Sequence, residues 1–170
     1  MLTTRRTLNP ARSRLVAVVA VLACANVLAL AAAAEARTEP LTMHYSGTFT
    51  PPTVVSTQPL IIFTTDHLTG DGSPTGLFTG VYPHYGNFDT NTFSGIAVFT
   101  AGDGSNLVVN LGGSGTSTSP TTYAVTFAGT ILGGTGRFAG ASGSFQGPGT
   151  VNLADLTVAA TLAGTIKTRD

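Results

Sequence analysis

Two segments of strict two-residue alternation flank a glycine-rich stretch, and that arrangement leaves this 170-residue chain little choice of fold class. Before the stretch, Tyr123, Val125, Phe127 and Ile131 share one face, while Thr122, Thr126 and Thr130 share the other with Ala124 and Ala128. After it, Leu156, Val158, Ala160, Leu162 and Ile166 oppose Thr157, Ala159, Thr161, Ala163 and Thr165. Successive side chains of a strand point to opposite faces, so this spacing predicts half-buried antiparallel strands with one face on a core and one on water. The connecting segment, Gly133-Gly134-Thr135-Gly136-Arg137-Phe138-Ala139-Gly140-Ala141-Ser142-Gly143, supplies positive-φ conformations that no β-branched residue tolerates.

The N-terminus reads as an export signal. Arg5, Arg6, Arg12 and Arg14 form a positive region, Leu15 to Ala34 is an unbroken run of apolar and small residues, and Ala34-Glu35-Ala36 offers a cleavage site. The expected boundaries are therefore a signal peptide over residues 1–36 and a single domain over 37–170. The run is nearly long enough to span a bilayer, so an uncleaved anchor is the rival reading. Thr4-Arg5-Arg6-Thr7-Leu8 bears a loose likeness to a twin-arginine signal. Beyond residue 36 the chain carries Arg37, Arg137, Lys167 and Arg169 against Glu39, Asp66, Asp71, Asp89, Asp103, Asp155 and Asp170, a net of −3 with histidines neutral. That balance leaves no basic patch for nucleic acid or for an anionic membrane surface. The one cysteine, Cys24, lies in the signal, so the exported domain is expected to have neither disulfide nor thiol chemistry.

Along the domain, Leu41, Met43, Tyr45, Gly47 and Phe49 alternate with polar residues until Pro51-Pro52. Val54 to Phe63 reads as one bent or edge strand interrupted by Pro59, and Asp66 to Thr75 as a loop built on Gly70-Asp71-Gly72-Ser73-Pro74. Leu77 to Tyr82 is a short strand followed by an irregular Pro83-His84-Tyr85-Gly86-Asn87. Thr92 to Thr100, Leu107 to Leu111, Thr121 to Ile131, Ser142 to Phe145 and Leu153 to Lys167 complete the set. Seven to nine short strands without an amphipathic helix predict an all-β sandwich or a closed up-and-down barrel. Closure is favoured, because few lysines guard the edges.

The segment Gly133 to Gly143, its preceding strand and the closing Leu162-Ala163-Gly164-Thr165-Ile166 resemble the allene oxide cyclase and dirigent barrel superfamily, more closely its small exported bacterial members of unassigned activity. The resemblance implies an antiparallel barrel of about eight strands around an apolar cavity, often assembled as a homotrimer. It also implies ligands that are small and hydrophobic, handled by conformational control in a dry pocket. Ser142 stands where plant dirigent proteins carry an arginine that lines the cavity.

Little else in the chain announces chemistry. His44, His67 and His84 lack metal-ligand spacing and read as surface or loop residues, and no metal or cofactor is expected. No Gly-x-Ser-x-Gly elbow leads into a helix, and Gly133-Gly134-Thr135-Gly136 lacks the lysine and the βαβ setting of a phosphate loop. The candidate ligand-binding residues are Arg137, beside the turn, and the inward-facing tyrosines Tyr45 and Tyr123. For Arg137 the competing role is a local pair with an acid such as Asp155, and for the tyrosines a place in the core. Three functions stay open: a non-catalytic exported module that binds a small hydrophobic ligand or serves a structural role, an isomerase or cyclase acting on a hydrophobic substrate, and an envelope- or matrix-associated protein. An open apolar lumen with convergent polar groups favours the ligand-handling readings; a lumen packed with Phe and Leu favours the structural ones.

Overall fold

Strands with one apolar face must close that face against something, and here they close it against themselves. The computed structural model describes residues 36–169. The expected signal segment, all but its last residue, lies outside them. In chain order the strands are β1 (Ala36–Phe49), β2 (Thr53–Thr57), β3 (Leu60–Ser73), β4 (Phe78–Asn87), β5 (Thr92–Ala101), β6 (Asn106–Ser117), β7 (Thr122–Gly134), β8 (Ser142–Asn152) and β9 (Thr157–Arg169). Every pairing is antiparallel. β3 through β9 follow one another around the wall, β9 pairs with β1, and β1 pairs with β3 from Thr42↔Ser73 to Phe49↔Asp66. The barrel therefore has eight strands, and β2 lies outside it as a short hairpin on the first half of β3.

The alternation read from the sequence sets the inside. Leu41, Met43, Tyr45 and Phe49 of β1, Val125, Phe127 and Ile131 of β7, and Val158, Ala160, Leu162 and Ile166 of β9 are all buried. The threonines and alanines opposite them on β7 and β9 face outward, with Thr122 half-buried. Leu156 departs from this pattern: it is half-buried in the turn before β9, in a left-handed conformation with φ 54°. Between β7 and β8, Gly136 to Phe138 form a single 3-10 turn that folds under the barrel and buries Phe138. Gly136 has φ 58°, and a Cβ there would run into the Ser105 hydroxyl. Both the conformation and the space admit glycine alone.

Several strands outrun their expected limits. The stretch from Asp66, expected as a loop, is the second half of β3, extended as far as Ser73. Its glycines do not make a turn. A Cβ at Gly70 would collide with the His44 carbonyl oxygen, so glycine is there because the β1 backbone comes too close for a side chain. The irregular segment after Tyr82 is likewise part of β4, which continues to Asn87. Pro83 pairs with Thr65 on β3, and β5 leaves it without a partner between the pairs Val81↔Val98 and His84↔Gly95. A proline has no N–H to donate, so that gap in the ladder accommodates it. The expected bent strand from Val54 is instead the β2–β3 hairpin, turning at Gln58-Pro59.

Candidate functional site

The barrel has two unlike ends. The turns at 74–77, 102–105 and 135–141 gather at one end, where Phe78, Phe99, Leu107, Ile131, Phe138 and Ile166 pack the interior solid. Around the other end lie the β2–β3 hairpin and the turns at 88–91, 118–121 and 153–156. Between their roots opens a cavity of about 110 Å³. Its apolar wall includes Phe49, Ile62, Phe93, Val125, Phe127 and Val158. A dry cavity of roughly 150 Å³ admits a benzene molecule, so this one is scaled to a single ring or a short branched chain.

The polar groups in this wall come from two neighbouring strands. β3 alternates Ile62, Thr64, Asp66 and Leu68 towards the inside, and β4 alternates Phe78, Gly80, Tyr82, His84 and Gly86. Pairing of Asp66 with Tyr82 in the β3–β4 ladder brings Asp66, Tyr82 and His84 together. The Asp66 residue is only 4% exposed, and its Oδ1 has no hydrogen-bond partner. Burial pushes its carboxyl up to about 7. His84 Nδ1 stands 3.7 Å from that oxygen but lies closer, at 3.2 Å, to the Tyr82 carbonyl. A carbonyl only accepts, so Nδ1 carries the proton and Nε2 is left as an acceptor. Burial also lowers the basicity of His84. The two groups are therefore not an ion pair, because each is driven from its charged form by loss of water.

The nearby hydroxyls are already committed. Tyr82 donates to the Leu111 carbonyl at 2.8 Å, and Thr64 donates to the Thr50 carbonyl at 2.6 Å. The ring of Tyr82 stacks on that of His84, and Phe93 meets the imidazole edge-on. Tyr82 is itself held far above the ordinary phenol range, first by burial and then by the Asp66 charge. Beside Tyr82 the site presents a carboxyl and an imidazole nitrogen inside an aromatic wall, and the side chains of Asn87, Asn91 and Thr92 add polar groups to the lining. Among the described residues, no group of three His, Cys, Asp or Glu side chains is placed to hold a metal ion.

The residues singled out in the sequence are dispersed. Tyr123 lines the cavity and meets Phe88 edge-on. Tyr45 is buried below it between Phe99 and Phe127, outside the cavity wall. Arg137 is at the opposite end, where its guanidinium donates to the Thr75 carbonyl, lies 3.5 Å from Asp103 and covers the Phe138 ring. Asp155 instead accepts from the Asn152 amide at 2.7 Å. His44 and His67 are exposed, as expected of surface residues, but His84 is not. The reading of His84 as surface or loop fails because β4 continues through Pro83 and turns the imidazole inward. Asp66 went unnoticed because it opens a stretch whose glycines imitate a turn. The signal for Asp66 was the alternation Ile62-x-Thr64-x-Asp66-x-Leu68, and that for His84 was the alternation Phe78-x-Gly80-x-Tyr82-x-His84.

No protein-family model and no curated protein matches the chain. Among solved structures, a pterocarpan synthase dirigent protein is similar at a TM-score of 0.55 and 14% identity, over 80% of this chain and 91% of that one. At that identity the likeness is one of fold, and the eight-stranded barrel is of the dirigent kind.

Proposed function

We propose that this barrel is an exported binding module that takes the apolar part of a small hydrophobic ligand into the cavity at its open end. The observation that carries the reading is the contrast between the two ends. One is packed solid by Phe, Leu and Ile, while the other keeps a ring-sized apolar cavity with a buried carboxyl in its wall. Structural packing alone does not account for that carboxyl, since a buried polar group without a partner costs stability. Groups retained against stability are characteristic of ligand sites.

A thermal-shift series with benzyl alcohol and other neutral single-ring compounds tests this. At about a hundred times its dissociation constant, such a ligand should stabilise the fold by roughly 2.7 kcal/mol. Val125→Phe, which fills the cavity, should abolish the shift. A panel of neutral and cationic single-ring compounds that produces no shift at all would sink the reading. Export and homo-oligomerisation belong to the same proposal and are tested by the intact mass of the secreted protein and by light scattering.

A second reading is favoured by one specific observation. A carboxyl with a pKa of about 7 exchanges protons freely near neutrality, as a general acid or base must. In this reading the barrel is an isomerase or cyclase that holds a hydrophobic substrate in one conformation while Asp66 moves a proton. The dirigent-type synthase of similar fold is compatible with such a role. The discriminating measurement is solvent-deuterium incorporation into bound candidate substrates, lost in Asp66→Asn.

A further inference from the structure

The polar chemistry beside Asp66 is one-sided, although the amides of Asn87 and Asn91 and the hydroxyls of Thr92 and Tyr123 also line the cavity. Asp66 Oδ1 is buried with no partner, and the donor protons of its hydroxyl neighbours are spent on the backbone carbonyls of Leu111 and Thr50. The N–H of His84 is spent on the Tyr82 carbonyl. None of the described residues lining the cavity is Lys or Arg. A ligand carboxylate would therefore meet an acceptor with no cation to offset it. A ligand that brings its own donors meets an oxygen that lacks one. Around that oxygen the wall is aromatic, with Tyr82, Phe93, Tyr123 and Phe127 all lining the cavity. Ring faces attract cations, and the attraction grows where water is excluded.

The geometry points to a small hydrophobic amine as the ligand class, its ammonium on Asp66 and its apolar body among the rings of the cavity. This rests on the binding-module reading and narrows it. Neutral hydroxyl compounds can donate one hydrogen bond to Asp66, but an ammonium also supplies the missing charge, which makes the contact roughly twice as strong. Fatty acids and other carboxylates are repelled by the ionised form of Asp66, with no Lys or Arg among the described lining residues to offset it.

Binding of a cation must be linked to the ionisation of Asp66. The titratable groups facing this carboxyl are Tyr45 from β1 and Tyr82 and His84 from β4, with Tyr123 in the same cavity from β7. The amine selects the carboxylate form, whose population grows as pH rises through about 7. Its affinity should therefore climb with pH, while that of a neutral isostere should not.

The experiment is calorimetric titration of the protein with benzylamine, benzyl alcohol and benzoate at about pH 5.5 and about pH 8, the amine staying protonated at both. Benzylamine should bind at least about tenfold more tightly at the higher pH, benzyl alcohol should change by less than about twofold, and benzoate should not compete. Asp66→Asn should weaken benzylamine by about tenfold or more, spare benzyl alcohol and remove the pH slope. If that variant does not fold, the pH series on the unaltered protein decides alone. Benzylamine binding that is independent of pH, or no tighter than benzyl alcohol at the higher pH, overturns the inference while the binding-module reading stands. If neither the alcohol nor the amine binds, both fall together.

Discussion

Tyr82 and His84, two residues apart on β4, stack with 4.3 Å between ring centroids and 13° between planes, and the Tyr82 carbonyl holds the His84 proton. A single residue thus fixes both the plane and the tautomer of the imidazole. Its phenol in turn reaches across the barrel to the Leu111 carbonyl on β6. Tyr82→Phe keeps the stack and deletes that bond. Denaturant titration should show a loss of about 1–2 kcal/mol, and the imidazole resonances should scarcely move.

The buried carboxyl makes stability depend on pH in a direction opposite to that of most acids. Unfolded, Asp66 gives up its proton near 3.8; folded, near 7. Between those values the native chain binds a proton that the unfolded chain has lost. The contribution of the neutral carboxyl is full below about 4 and is lost as pH rises through 7. His84 works the other way: its folded basicity is lowered, so its contribution is full above about 6.5 and is lost as pH falls. Comparing Asp66→Asn with the unaltered protein cancels the histidine. The variant should gain on the parent from pH 4 upward, levelling above about 7 at up to about 4 kcal/mol. Parallel stability curves across that range would contradict a buried carboxyl.

Phe127 is 2% exposed and touches the rings of Tyr45 and Phe93 edge-on. Phe127→Ala should cost about 3–5 kcal/mol in chemical denaturation. Thr126→Ala, on the outer face, should change stability by less than about 0.5 kcal/mol.

The seam between β1 and β3 depends on close backbone approach. Gly70→Ala would set a Cβ against the His44 carbonyl, and should lower stability by about 3 kcal/mol or more. Gly102→Ala, whose added carbon would meet nothing closer than the Leu77 carbonyl oxygen at 3.8 Å, should be close to neutral. Equal losses in both variants would mean that the seam is not the constraint.

Arg137 binds the turns of the closed end to one another. Arg137→Ala should leave the response to benzyl alcohol unchanged in a thermal-shift series, because the side chain and the cavity are at opposite ends.

The sequence was readable wherever local alternation and tertiary pairing agree. In β1, β7 and β9 every second residue is apolar or glycine along the inward series, so the inward faces of Leu41 to Phe49 and of Val158 to Ile166 follow from spacing alone. The turn residues of Gly133 to Gly143 are equally direct: Gly133, Gly136, Gly140 and Gly143 all have positive φ. Legibility failed in β3 and β4, where glycine and proline serve neighbouring strands rather than turns. Gly70 makes room for the β1 backbone, and Gly95 makes room for the carbonyl of Pro83. Neither approach can be read from its own segment, because the atom that forbids a side chain is distant in the chain. Both members of the buried Asp66 and His84 couple sit in these two strands, which is why the fold was more legible than the site.

β3 changes neighbours at Asp66. From there to Ser73 it is bound to β1, whereas Leu60 to Phe63 are bound to β2. A wall fastened by two separate ladders can loosen one and keep the other. Fraying of β2 would uncover the upper part of β3 while the β1 bonds below Asp66 stay made, and such partial openings need far less free energy than unfolding. That end of the wall can thus breathe on the timescale of a hairpin, with the rest of the barrel still shut.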